Sequence, residues 1–104
     1  MSNNSKLSYV HGVSHQPLIY QTIGEALNLA ANQWGNNEAL VSHHQGERYS
    51  YRDLDLKTDQ LAASFLKLGL EPGGRIGIWA PKCSEWVLTQ FASAKAGLIL
   101  VNIN

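Results

Sequence analysis

The sequence predicts an α/β fold with the order helix, β-hairpin, helix, and then a parallel strand–helix–strand unit. The reading rests on two helix-start signatures, on a turn between short β-prone runs, and on an apolar, helical, apolar succession over 75–101. Strands alternating with helices are the pattern of a parallel sheet packed against helices.

Thr22-Ile23-Gly24-Glu25 matches a capping box, with Thr22 as N-cap and Glu25 reaching back to it. Ile23, Ala26, Leu27, Ala30, Ala31 and Trp34 then recur at helical spacing and form one apolar stripe. Gly35-Asn36-Asn37 is expected to stop this helix with residues that tolerate left-handed backbone. Residues 38–42 read as a strand, His44-Gln45-Gly46-Glu47 as a turn, and Arg48-Tyr49-Ser50-Tyr51 as the return strand. Ser50 is the expected N-cap of the next helix, with Asp53 three residues on. Leu54, Leu61, Phe65 and Leu68 should line its buried face, widened by Ala62 and Leu66. Gly69 caps its end, and Pro72 prevents resumption.

Glu71-Pro72-Gly73-Gly74 reads as a tight loop and Arg75-Ile76-Gly77-Ile78-Trp79 as a strand, broken at Ala80-Pro81. Residues 84–96 read as a helix with Trp86, Val87, Phe91 and Ala94 facing inward, ended by Gly97. The run 98–101 is almost wholly apolar, which suits a strand covered on both faces. Strand, helix, strand in close succession makes 76–79 and 98–101 parallel neighbours. A parallel sheet wants more strands than this and helices on both faces. The chain is therefore expected to be incomplete, with bare strand edges. Ordering costs roughly 1.5 kcal/mol per residue, which a core divided this way is not expected to offset alone.

Hydrophobic residues make up 44% of the 104 and charged residues 15%, enough apolar content to drive collapse. Lys plus Arg and Asp plus Glu are 8 each, so the net charge is zero and nothing attracts nucleic acid or an anionic membrane. Residues 1–16 are rich in Ser, Asn and His and read as a flexible arm, with 17–104 as the ordered part. The arm lacks the apolar run of a secretory signal and the arginines of a transit peptide. With a single cysteine, Cys83, no internal disulfide forms, and a cytoplasmic protein without a transmembrane segment is expected.

No constellation carries chemistry. Of the 4 histidines, His11 and His15 are spaced i, i+4, but Gly12 and Pro17 argue against a helix there. His43 and His44 are adjacent and would point to opposite faces of a strand. They read as solvated arm and turn residues, not as zinc ligands. Cys83 precedes a helix but has no histidine near it in sequence, and reads as a small packing residue at a helix entrance. Gly73-Gly74 precedes a strand, so it is a turn and not a phosphate cradle. Trp34, Trp79 and Trp86 read as core. Asp53, Asp55 and Asp59 read as capping and solvated residues.

The wording of the chain adds a resemblance. Tyr49-Ser50-Tyr51-Arg52-Asp53-Leu54, Leu61-Ala62, Leu68-Gly69-Leu70, and Pro72-Gly73-Gly74-Arg75-Ile76-Gly77-Ile78-Trp79 occur in the order seen at the start of AMP-forming acyl-CoA synthetases. Ala80-Pro81-Lys82-Cys83-Ser84-Glu85-Trp86 resembles them too, and the stretch from Gln90-Phe91-Ala92 to Asn102-Ile103-Asn104 is closest to the fatty acyl-CoA synthetase branch. The resemblance covers 18–104, and Lys82 departs from it, standing where relatives often carry Asn.

The resemblance implies part of the large N-terminal domain of an adenylate-forming enzyme. Such enzymes join a carboxylic acid to ATP, with magnesium, to form an acyl-adenylate, and coenzyme A then displaces AMP to give a thioester. The family's Ser/Thr/Gly-rich phosphate loop, aromatic adenine motif, ribose-binding Asp and C-terminal catalytic Lys have no match in these residues. No catalytic, cofactor-binding or metal residue is therefore expected here, and the chain alone should be inactive. ATP, magnesium, coenzyme A and a fatty acid are expectations for a full-length family member. The alternative is a standalone non-catalytic module that binds a partner through an exposed sheet edge.

Overall fold

The computed structural model describes residues 8–104. Of the arm expected over 1–16, residues 1–7 lie outside the described residues, and 8–16 are exposed and form no helix or strand. Helix α1 spans Ile23–Trp34, β1 Glu38–Ser42, β2 Glu47–Ser50, α2 Tyr51–Lys67, β3 Arg75–Trp79, α3 Ser84–Lys95 and β4 Ile99–Ile103. The expected α/β order is therefore present, with boundaries moved by one or two residues.

Both expected capping boxes form. Thr22 Oγ1 accepts from Glu25 N at 3.1 Å, and Ser50 Oγ accepts from Asp53 N at 3.0 Å. Each N3 carboxylate accepts from the N-cap N–H in return. Because Ser50 caps, Tyr51 is the first residue of α2 and not the end of the return strand. The C-terminal ends of α2 and α3 share one stop. Gly69 (φ 95°) and Gly97 (φ 74°) take left-handed backbone. Leu70 N then donates to Phe65 O at 3.4 Å, and Leu98 N to Ser93 O at 2.9 Å. Leu98 is spent in this stop, so β4 starts at Ile99 and not at 98.

The stop of α1 differs from expectation. Gly35 is right-handed (φ −48°), and no non-glycine residue among those described has positive φ. Space is the reason for glycine here: a Cβ would lie 2.6 Å from Arg52 Nη2 and 2.7 Å from Ala31 O.

The hairpin β1–β2 is antiparallel, with an irregularity between Glu38 and Leu40, and β3–β4 is parallel, pairing Arg75 with Ile99 through Trp79 with Ile103. Helix α2 lies at the centre, packed on α1, on α3 and on both hairpin strands. The core is Ala62, Ala92, Ala96 and Leu98, flanked by Leu61, Phe65, Leu70 and Ile76. Small residues at the α2–α3 contact let the helices approach closely, and Thr58, fully buried, donates its hydroxyl to Leu54 O at 2.7 Å.

The buried stripes are narrower than apolar spacing predicts. Ile23 and Trp34 of α1, Leu66 of α2 and its C-cap Leu68 are exposed, as is Trp79 of β3, while Ser84, Ser93 and Thr58 are buried. Trp34 is tilted against Tyr51, with ring centroids 6.3 Å apart. Expecting Trp34 and Trp79 in the core overvalued side-chain size. The contacts here are made by small residues, and Trp79 lies on the face of β3 turned away from the helices.

Candidate functional site

The helices meet at a polar junction. Asp55 and Asp59, one turn apart on α2, both reach Lys95 of α3: its Nζ lies 2.7 Å from Asp55 Oδ1 and 2.7 Å from Asp59 Oδ1. Nζ also donates to the Asp55 carbonyl at 3.1 Å. From α1, Asn28 Nδ2 donates to Asp55 Oδ2 at 3.1 Å, so the Asp55 carboxylate has a partner for each oxygen. The side chains of Lys95 and Asp55 are only 11% and 13% exposed, whereas Asp59 is 60% exposed. The expectation that Asp55 is solvated is corrected. An open cleft of about 490 Å³ runs past this junction, lined by Gly24, Asn28, Asp55, Asp59 and Lys95 among others. With its donors committed to both aspartates, Lys95 ties the three helices together and is no free nucleophile.

A second network joins the hairpin to the start of α3. The N-cap residue Cys83 makes no side-chain cap bond. Gln45 in the hairpin turn supplies one instead, its Oε1 accepting from Ser84 N at 2.9 Å. Gln45 Nε2 donates to Glu85 at 2.9 and 3.2 Å. Ser84 Oγ donates to Glu47 Oε2, which also accepts from Tyr49 OH at 3.2 Å. Gln45, its own backbone N–H and Ser84 hold the Glu85 carboxyl below the usual glutamate range. Burial, and then the charge and hydrogen bond of Glu47, push the Tyr49 phenol up. Ser84 is 3% exposed, and its hydroxyl is engaged with Glu47.

Cys83 has no histidine near it along the chain, yet His43, His44, Lys82 and Cys83 line one shallow depression. Both histidines are exposed, and among the described residues no hydrogen bond joins Cys83 to either of them. His11 and His15 lie outside any helix, and no three His, Cys, Asp or Glu residues gather into a metal-holding group among the described residues. Trp86 is half-buried, its Nε1 donating to Ala80 O at 2.9 Å across the turn after β3.

The junctions escaped sequence reasoning because their partners lie far apart in the chain. A local signal existed in Asp55 and Asp59, two acids one helical turn apart, and in Lys95, a lone cation in the small-residue run Ala92-Ser93-Ala94-Lys95-Ala96.

Three helices around a small-residue core, beside a parallel strand pair, match part of the N-terminal domain fold of adenylate-forming enzymes. Comparison with known proteins agrees. The family pattern for AMP-binding enzymes matches residues 27–104, and the chain belongs to that family. It is 41% identical over 98 residues to the mitochondrial medium-chain acyl-CoA ligase ACSF2 of Rattus norvegicus, a match covering 94% of this chain and 16% of the relative. It is 42% identical over 99 residues to the acyl-CoA ligase sidI of Beauveria bassiana, covering 95% of this chain and 17% of the relative. A solved fatty acyl-CoA synthetase of Mycobacterium tuberculosis superposes with TM-score 0.76 at 25% identity, over 80% of this chain and 16% of that one. The isolated N-terminal domain of FACL13 from the same organism gives 0.77 at 25% identity, over 82% of this chain and 21% of that one. The chain thus spans about one sixth of the curated relatives it matches.

Proposed function

We propose that this chain is a scaffold segment of an acyl-CoA ligase, contributing packing and no catalytic, cofactor-binding or metal residue. The reaction it serves joins a fatty acid to coenzyme A through an acyl-adenylate, at the expense of ATP and with magnesium. The observation that carries the reading is the match to acyl-CoA ligases over nearly the whole chain at about 40% identity.

The described residues do not fit a triphosphate and its magnesium. The N-termini of α1, α2 and α3 are occupied by Thr22 with Glu25, by Ser50 with Asp53, and by Gln45. The carboxylates of Asp55 and Asp59 are held by Lys95. No step of the reaction is therefore assigned to a residue of this chain. Arm 1–16 and scaffold 17–104 remain the proposed division. Among the described residues no helix is long and apolar enough to cross a membrane. A cytoplasmic location is part of the proposal; the rat relative is named as mitochondrial, and cell fractionation separates the two.

The test is a chimera in which residues of this chain replace the 98 aligned residues of the rat ligase. Thioester formation from a medium-chain acid, ATP and coenzyme A should persist. A chimera that folds but forms no acyl-adenylate would count against a scaffold role.

A further inference from the structure

Four reactive side chains share the depression where the hairpin meets α3. It measures about 220 Å³ and is lined by Lys82 and Cys83 at the entrance of α3, and by Leu40, Val41, His43 and His44 from β1 and the hairpin turn. Cys83 is a free, half-buried thiol, and as the N-cap residue of α3 it makes no side-chain cap bond. Lys82, His43 and His44 are all exposed. The nearest carboxylate in sequence, Glu85, is held by Gln45, whose Nε2 lies 2.9 and 3.2 Å from its two oxygens. Leu40 and Val41 give the depression an apolar wall, with Val41 44% exposed. A reagent entering it therefore meets a thiol, an amine, two imidazoles and an apolar surface together, which suits an electrophile with an apolar tail.

On the footing of the ligase-segment reading, we propose that Lys82 is a self-acylation site, loaded through Cys83 by the thioester product of the ligase. In the first step the Cys83 sulfur attacks the carbonyl carbon of an acyl-coenzyme A. A new C–S bond forms, the bond to the coenzyme A sulfur breaks, and coenzyme A leaves as a thiol carrying the proton that Cys83 gave up. An imidazole of the hairpin turn, His43 or His44, carries that proton between the two sulfurs. In the second step the Lys82 amine, after releasing one proton to solvent, attacks the same carbonyl carbon. The C–N bond forms, the bond to the Cys83 sulfur breaks, and a proton passes from nitrogen to sulfur, leaving an amide and a restored thiol. No metal, oxidant or reductant takes part. Because Lys82 and Cys83 are neighbours in the chain, the second step is intramolecular and the amine acts at high effective concentration. The flexible lysine stem lets the nitrogen swing to the sulfur, and the start of the acyl chain lies against Leu40 and Val41. The product replaces an ammonium at the entrance of α3 with a neutral amide and an apolar tail.

The test supplies octanoyl-coenzyme A directly to the full chain, so its outcome does not depend on ligase activity. Peptide mass mapping should find an octanoyl amide on Lys82 that forms about tenfold or more faster than on Lys57 or Lys67, which are exposed on α2 and have no cysteine beside them. Samples quenched early in acid should carry a hydroxylamine-sensitive octanoyl group on Cys83 that declines as the Lys82 amide rises. Cys83→Ser should bring Lys82 down to the rate of the other lysines, and Lys82→Arg should trap the acyl group on Cys83. His43→Gln combined with His44→Gln should slow the reaction several-fold in the folded chain but not in urea, which separates the assembled site from mere adjacency of Lys82 and Cys83. Far-UV circular dichroism identifies any variant that is unfolded. Lys82 modified no faster than Lys57, an unchanged Lys82 rate in Cys83→Ser, or a histidine variant as fast as wild type would each overturn the site. A chimera that makes thioester while Lys82 stays unmodified keeps the ligase reading and removes only the acylation site. An inactive chimera beside the expected Lys82 acylation does the reverse.

Discussion

Replacing Lys95 with methionine should destabilise the chain more than any other single lysine change. The side chain would stay long and apolar, so packing is largely kept. The loss is charge: Asp55, 13% exposed, would keep only the Asn28 amide as a side-chain partner, and its own carbonyl would lose a donor. Stranding one member of a buried pair costs about 3–5 kcal/mol. The Asp59 contact adds little, because that carboxylate is 60% exposed and water replaces the ammonium. Asn28 and the residual exposure of Asp55 pull the figure to the low end, about 3 kcal/mol. Native domains hold about 5–15 kcal/mol in total, and a segment with bare strand edges is expected to hold less, so the loss is a large fraction of what is available. Urea titration followed by tryptophan fluorescence reads it, with Lys82→Met, on an exposed lysine, as a control expected within about 0.5 kcal/mol of wild type. The double variant Asp55→Leu with Lys95→Met should recover much of the loss, since no buried charge is stranded. A Lys95→Met midpoint equal to wild type, or losses that simply add in the double variant, would refute the junction as a stabilising pair.

Further outcomes follow from the same contacts. Gly35→Ala, which at a right-handed position ordinarily stabilises, should instead cost about 1–3 kcal/mol by thermal melt, because the new Cβ meets Ala31 O and Arg52. Ser84→Ala should cost about 1–3 kcal/mol by leaving Glu47 without its buried donor, and Gln45→Ala about 1 kcal/mol through the lost cap on α3, both read by urea titration. The depressed Glu85 value gives stability that is present above the ordinary glutamate value of 4.5 and lost as pH falls through the lower folded value; Glu85→Gln should flatten that acid limb. The raised Tyr49 value gives stability that is present below 10.0 and lost as pH rises through the higher folded value, so Tyr49→Phe should flatten the alkaline limb.

Local chemistry was legible in the sequence. Thr22 with Glu25, Ser50 with Asp53, and Gly69 and Gly97 after their helices each act within a few residues, so the helix limits followed from spacing alone. The parallel pairing of β3 and β4 followed from strand–helix–strand order. Burial was less legible. Apolar periodicity favours large side chains, whereas α2 and α3 meet through Thr58, Ala62, Ala92, Ser93 and Ala96, leaving Leu66, Leu68 and Trp79 outside. Gly35 was expected as a left-handed stop and is instead a steric clearance for Arg52, 17 positions on in a different helix. Lys95 with Asp55, and Gln45 with Ser84, join residues 40 and 39 positions apart, a range at which spacing holds no information. The resemblance to acyl-CoA synthetases came from the order of short motifs, which survives where individual burial assignments do not.

The most direct test of the scaffold account is pyrophosphate release by the pure 104-residue chain incubated with ATP, magnesium and a medium-chain fatty acid. Release no faster than in the protein-free control is predicted, because the N-termini of α1, α2 and α3 are capped by the chain's own side chains and Asp55 is paired with Lys95. Sustained release that scales with chain concentration would contradict the account.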